Sequence, residues 1–267
     1  MSFPPQNLPG PEPTGPELSP IIQLHRHPDG VITFARKTPD GAFHNIGGIR
    51  PAQLQSMFPQ FREELERDSF FSVNAFFHWD KRSQWLPAVR DTESVRYLTC
   101  CYADVDCYNL QINWAEAFVK ILGMQDGQCL PPASVIQRSG RGLWFYWLLK
   151  DEKHPGIAQR AWAEKVKLWA QIQREIGARL AEFGADVTAA DLARITRVPG
   201  SINTKVIEKK TQFPRVKFWV QLGTDDKRYI YTLSNLARFF GIAEKAPPPI
   251  ERAYREAREP KGNHSVG

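Results

Sequence analysis

RYLTCCYADVDCY, Arg96 to Tyr108, is the stretch on which the fold turns. Val95, Tyr97, Leu98, Thr99, Cys100, Cys101 and Tyr102 are apolar, aromatic or β-branched without a helical period, which predicts a strand buried on both faces. Side chains alternate along a strand, so Asp104 and Asp106 project from one face, close enough to share a divalent cation or to bridge two. Two carboxylates that near cannot both stay ionised in an apolar setting without a positive partner. The plainer reading is a strand end running into a loop with both aspartates solvated, and Asp-x-Asp alone does not separate the two.

On the amino side, residues 1–20 hold seven prolines and little to bury, which predicts a disordered or polyproline lead-in. Ile21 to Leu24 and Val31 to Ala35 read as short strands around a turn at Pro28-Asp29-Gly30, and Pro51 to Arg67 has helical spacing. Phe70 to Trp79 reads as an aromatic strand; Lys81, Arg82, Arg90 and Arg96 follow it and frame the entry to the aspartate strand with positive charge.

On the carboxyl side, Asn113 can cap a helix from Trp114 to Met124. Val135 to Arg138 and Leu143 to Leu149 read as strands joined by Ser139-Gly140-Arg141-Gly142. That turn offers backbone amides and a guanidinium to a phosphate, or is a plain hairpin. The aromatic run Trp144 to Trp147 reads as core. A long amphipathic helix is expected from Pro155 to Phe183, closed by Gly184. Next, Asp186 and Asp191 precede Arg194 and Arg197, then Pro199-Gly200 and Asn203-Thr204-Lys205. A carboxylate beside two arginines three apart puts a metal ligand next to cations that can hold phosphate oxygens. Phe213 to Leu222 reads as a strand and Ser234 to Phe240 as a helix. The division expected is a lead-in over 1–20, one catalytic domain over 21–243, and a charged, proline-containing linker or tail over 244–267.

Composition sets the frame. The 267 residues are 42% hydrophobic, enough for a sizeable core. Lysine and arginine outnumber aspartate and glutamate by 35 to 29, a net charge of +6 that suits a polyanion partner. The four cysteines lack the paired spacing of a zinc site and read as small apolar residues of a reducing cytosol. Neither a signal peptide nor a membrane-spanning run is seen, so a cytoplasmic protein without a membrane partner is expected.

In order, these motifs resemble the primase-polymerase branch of the archaeo-eukaryotic primase superfamily, found in replication proteins of plasmids, phages and defence elements. YADVD at Tyr102 to Asp106 matches its acidic pair, Ser139 to Trp144 its SGxGxH turn, and Asp186, Arg194, Arg197, Pro199-Gly200-Ser201 and Asn203 its last motif. The resemblance covers roughly Phe70 to Trp219. It implies an α+β fold with mixed or antiparallel sheets, an RRM-like half and a second αβ half flanked by helices.

It also implies nucleotidyl transfer from (d)NTPs to a primer on a single-stranded DNA template. Two Mg²⁺ or Mn²⁺ ions would be held by Asp104, Asp106 and Asp186, with Asp191 the alternative third ligand. Ser139, Arg141, Arg194 and Arg197 would bind nucleotide, while Asn203, Lys205, Lys209, Lys210, Arg215 and Lys217 would follow DNA. A helicase or accessory domain, in trans or carboxyl-terminal, is an expected companion. One departure is that Trp144 stands where the family has a phosphate-contacting histidine. Two other functions stay open: a replication initiator that binds DNA without polymerising, and a metal-dependent nuclease built on the same carboxylates.

Overall fold

The computed structural model describes residues 13–186, 190–205, 214–223 and 225–243. It has a mixed α+β architecture of three antiparallel sheets and several helices. A first sheet joins β1 (Ile32–Lys37), β2 (Phe43–Ile49), β3 (Ser69–Ser72) and, from much later in the chain, β10 (Ile195–Arg197), in the order β10-β3-β1-β2. A second joins β6 (Cys100–Val105), β7 (Val135–Arg138), β8 (Leu143–Leu148) and β11 (Lys217–Val220), in the order β11-β7-β8-β6. Short strands β4 (Ala75–Phe76), β5 (Val95–Leu98) and β9 (Gln159–Arg160) form the third. Helices are α1 (Ser19–Leu24), α2 (Pro51–Phe61), α3 (Trp114–Asp126), α4 (Ala163–Leu180) and α5 (Leu233–Phe239).

The second sheet carries the acidic pair, and its connectivity explains how a third carboxylate joins it. The chain runs β6-α3-β7-β8, crosses through β9 and α4, and returns so that Ala185 forms an antiparallel bridge with Val105 on the outer side of β6. That is a split βαβ pattern, with a one-residue fourth strand beside the first. Register places Asp104 opposite Trp144 and Tyr102 opposite Tyr146. Those residues face the first sheet, where the Thr196 hydroxyl bonds the Tyr146 hydroxyl (2.7 Å) and accepts from Gln137 Nε2 (3.1 Å). Thr196 thus clasps the two sheets together at the mouth of the site. On the other face, Phe118 of α3 meets Trp219 of β11 edge-on at 5.7 Å.

Helix α4 closes the open edge of β6. Trp169 Nε1 donates to the Cys100 carbonyl (2.9 Å), and Gln173 Oε1 accepts from the Tyr102 amide (2.7 Å). An edge covered in this way cannot recruit another strand.

Several expected elements come out differently. Residues 96–102 are buried as expected from Tyr97 onward, but they divide between two sheets. At Thr99 the amide bonds Asn74 Oδ1 and the hydroxyl bonds the Val73 carbonyl, ending β5 and turning the chain into β6. Ile21 to Leu24 is helical, because Pro20 pre-sets a first turn and Ile21 and Leu24 bury one face three residues apart. The segment read as a lead-in up to residue 20 therefore ends inside α1, and the Glu17 amide donates to the Pro199 carbonyl (2.9 Å).

Helix α2 stops at Phe61 and not Arg67: beyond it the Leu65 and Glu66 amides bond the carbonyls of Arg62 and Glu63, three residues back, so the chain tightens into turns. The long helix starts at Ala163 and not Pro155, because Gln159 and Arg160 pair with Leu98 and Tyr97 first; Trp162 becomes its exposed N-cap, not part of the buried face. The aromatic stretch after Phe70 is split between β3 and β4. Helix α3 begins as expected, with Asn113 Oδ1 accepting from the Ala115 amide. Residues 1–12 and the 244–267 tail lie outside the described residues.

Candidate functional site

The acidic corner is built by backbone pairing. On either side of the Val105–Ala185 bridge, the Asp106 amide donates to the Gly184 carbonyl (3.0 Å) and the Asp186 amide donates to the Asp104 carbonyl (3.2 Å). In such a ladder Asp104 and Asp186 stand directly opposite, Cβ atoms ~5 Å apart, and Asp106 shares their face two residues on. Glycine permits the approach from both sides. Gly184 has φ +86°, and a Cβ there would lie 2.9 Å from the Asp106 carbonyl oxygen. A Cβ on Gly142 would lie 3.0 Å from the Val105 carbonyl oxygen.

Positive charge arrives from the segment before β10. Arg194 Nη2 lies 2.8 Å from Asp104 Oδ2 and 3.7 Å from Asp186 Oδ2. Burial, reinforced by Asp106, pushes the Asp104 carboxyl up to about 7 even with Arg194 pulling it down. Arg194, for its part, holds its proton more tightly than usual, because the pull of Asp104 outweighs the cost of burial. Asp191 is used otherwise: its carboxylate accepts from the Ala193 amide (2.8 Å) and its carbonyl from the Tyr102 hydroxyl (2.8 Å), so it caps the turn that presents Arg194.

These groups border a cleft of about 540 Å³ between the two four-stranded sheets. Asp104 and Asp106 line it together with Ser139, Arg141, Arg194, Arg197, Asn203 and Lys205. Asp191, the alternative third ligand, lines it as well, whereas Asp186 does not; the Asp186 carboxylate is 41% exposed and lies 3.7 Å from Arg194 Nη2. The Ser139–Gly142 turn is tight, its Ser139 amide bonded to the Gly142 carbonyl (3.1 Å), and Arg141 lies over the Tyr108 ring at 4.3 Å. Asn203 Nδ2 donates to the Ser139 carbonyl, tying the Pro-Gly-Ser-x-Asn segment to that turn. Arg197 pairs with Asp68 (2.9 Å), and burial lowers its proton affinity. Asp68 also accepts from the Thr204 amide (3.2 Å) and hydroxyl, so one carboxylate fixes both the arginine and the loop after it. Trp144 lies on the cleft floor, stacked between Tyr102 (5.6 Å) and Tyr146 (5.7 Å), with the Arg194 guanidinium 5.8 Å from its ring.

Of the residues expected to follow DNA, Asn203 and Lys205 line the cleft, and others lie elsewhere. Arg215 pairs with Glu66 (2.5 Å) and donates to the Gly200 carbonyl (2.7 Å), so it braces the Pro-Gly turn and does not face the cleft. Lys217 sits opposite Arg138 on β11, also away from the cleft. Lys209 and Lys210 lie outside the described residues. Conversely, Lys37, Phe43, Phe70 and Tyr108 line the cleft unforeseen, and Arg90, noted only as framing charge, joins them. Tyr108 follows the acidic pair by two residues, whereas Lys37, Phe43 and Phe70 stand on strands that carry no motif and join the site through the pairing of β3 with β10.

The donor set is one that hard divalent cations prefer: carboxylate oxygens without histidine or thiolate. A buried carboxyl with a raised pKa, two acidic neighbours and a displaceable guanidinium suits a site that accepts positive charge. Among the described residues, no three His, Cys, Asp or Glu side chains are drawn together as a bound ion would draw them; Arg194 stands between Asp104 and Asp186 instead.

Fold and site together define an α+β chain with an acidic corner and a basic cleft held between two antiparallel sheets. Compared with known proteins, it is similar to a protein named "Replication protein" from Clostridium perfringens, 28% identical over 220 residues that cover 82% of this chain and 45% of that protein. The chain thus spans less than half the length of that relative. No family model and no solved structure matches. Among the described residues, no helix is long and apolar enough to cross a membrane.

Proposed function

We propose that this chain is the nucleotidyltransferase part of a replication protein, of the primase-polymerase type, extending or starting a strand on single-stranded DNA from (d)NTPs. The observation that carries the reading is the backbone bridge that stands Asp186 opposite Asp104, beside a cleft that Asp104, Asp106, Arg194, Arg197 and Arg141 line. The split βαβ connectivity around β6 agrees with the RRM-like half expected from the motifs. Similarity to a protein named for replication agrees with the role.

Asp104, Asp106 and Asp186 would hold Mg²⁺ or Mn²⁺. Bound there, the ions would supply activation of the attacking hydroxyl and neutralisation of the leaving pyrophosphate. Arg194, held to Asp104 by one Nη2–Oδ2 bond, would leave it for phosphate oxygens, which its guanidinium can grip at two points. Arg197, fixed by Asp68, and Arg141, braced on Tyr108, would hold the remaining charge of the triphosphate. Trp144, packed between two tyrosines, would form a flat, uncharged floor. The phosphate contact made by histidine in the family would then fall to Arg141 or Arg194.

A second reading, an initiator that binds DNA without polymerising, draws on that same tryptophan and on the Arg194 bridge between Asp104 and Asp186. Extension of a labelled primer on single-stranded template with Mn²⁺ or Mg²⁺ separates the two. Metal-dependent products that vanish in Asp104→Ala/Asp106→Ala are expected. DNA binding that survives chelation, with no product from any nucleotide, would leave the initiator in its place.

A further inference from the structure

The carboxylates occupy only one side of the cleft. Another part of its lining is a face of the first sheet, which carries Arg197 on β10, and its register is informative. Lys37 pairs with Phe43, Ala35 with Phe70, and Phe70 with Arg197, so Arg197, Phe70, Phe43 and Lys37 project from one face in a row across all four strands. The two phenylalanine rings meet edge-to-face at 5.3 Å. Phe43 is 44% exposed and lines the cleft. Cations surround both rings: Lys37 Nζ lies 5.3 Å and the Arg90 guanidinium 5.7 Å from the centre of Phe43, and Arg197 lies 4.7 Å from that of Phe70.

Lys205, from the loop that Asp68 anchors, brings its ammonium against that of Lys37, and this neighbour depresses its proton affinity. Two ammonium groups held side by side are relieved by an anion between them. The row spans three inter-strand spacings, ~14 Å, longer than one phosphate group needs. Exposed aromatic rings interleaved with cations, on a surface too polar for a protein core, are what an unpaired strand requires: π-faces for its bases and positive charge for its backbone.

We infer that Phe43 and Phe70, flanked by Lys37, Arg90 and Lys205, form a binding track for single-stranded nucleic acid, in which an unpaired base stacks on Phe43 and the adjoining phosphates lie on the cations. The inference rests on the proposed nucleotidyl-transfer reading only in taking that strand to be the enzyme's substrate. Stacking of this kind is sequence-tolerant, because every base presents a π-face, and the phosphate part of the binding weakens with salt.

The test is fluorescence anisotropy in EDTA with a short labelled oligothymidylate, an abasic strand of equal length and charge, and dTTP as competitor. Phe43→Ala should weaken the oligothymidylate by about 5- to 100-fold while leaving the abasic strand unchanged, and Phe43→Trp should restore it. Lys37→Ala should weaken both strands and reduce the salt slope by about 0.7. Phe43→Ala that weakens neither strand, that weakens both equally, or that affects dTTP alone overturns the track. The two readings fail separately. If primer extension is absent but base-dependent binding remains, only the catalytic reading falls. If Phe43→Ala extends primers like wild type and keeps base-dependent binding, only the track falls.

Discussion

With Asp106 and Asp186 on its own face and Arg194 as its partner, Asp104 keeps its proton up to about pH 7, well above the ordinary carboxylate range. In the unfolded chain it ionises near pH 4. Between those values the folded protein therefore binds more protons than the unfolded one, and stability falls as pH rises across that window in the metal-free protein. Asp104→Asn removes this slope. Urea midpoints of both proteins at pH 4.5, 6 and 7.5 in EDTA should shift in the variant's favour as pH rises and level off above about 7. A difference that does not change with pH would mean Asp104 is ionised throughout. The same proton competes with any cation, so Mn²⁺ affinity should climb over the same interval.

At the scale of elements, the site depends on how β6 is bordered: β8 on one side, and α4 followed by the Ala185 bridge on the other. Gln173 is the link that lets a helix serve as a strand's neighbour, since its side-chain oxygen takes the amide hydrogen a fourth strand would have taken. Gln173→Leu removes the bond that Gln173 Oε1 accepts from the buried Tyr102 amide, at a cost of about 1–3 kcal/mol. A lowered urea midpoint and faster hydrogen exchange at Tyr102, with exchange in β1 unchanged, are the expected results.

The acidic strand, the β7–β8 pair, the Asn113 cap and the Gly184 stop were legible from sequence because each is decided within a few residues. The start of α4 was not, because Gln159 and Arg160 join a strand far away in sequence, and pairing of that kind overrides an amphipathic pattern. The site divides the same way. The carboxylates and arginines stand in local motifs, whereas Lys37, Phe43 and Phe70 acquire meaning only when β10 returns to pair with β3.

Across the whole molecule, the first sheet and the third meet at a buried histidine pair. His25 Nε2 lies 2.9 Å from the Ser72 carbonyl and donates to it, which leaves His25 Nδ1 to accept from His27 Nε2 (3.0 Å). His27 stacks on Tyr97 at 5.0 Å, with Asp29 and Arg96 close by. Burial lowers His25 to about 4 and His27 well below its usual value, the His27 shift opposed by Asp29 and reinforced by His25 and Arg96. Here the unfolded state binds more protons, so the contribution is whole above about pH 6.5 and is lost as pH falls towards 4. That sign opposes Asp104. In the Asp104→Asn background the urea midpoint should rise from pH 4.5 to 6.5 and then flatten; a flat profile over that range would show that the pair accepts protons without cost.

The Arg194–Asp104 ion pair joins residues 90 positions apart, and this fixes an order of events while the chain is being made. At ~5–20 residues per second, a ribosome delivers Arg194 roughly 5–20 s after Asp104. Throughout that interval the nascent chain carries its acidic strand without Arg194 opposite, and for most of it the outer edge of β6 still waits for the whole of α4. The cleft is completed only when β10 emerges and lies down beside β3, so any chain stalled before that point holds Asp104, Asp106 and Arg141 but lacks Arg194, Arg197 and the strand that carries Arg197 to the site.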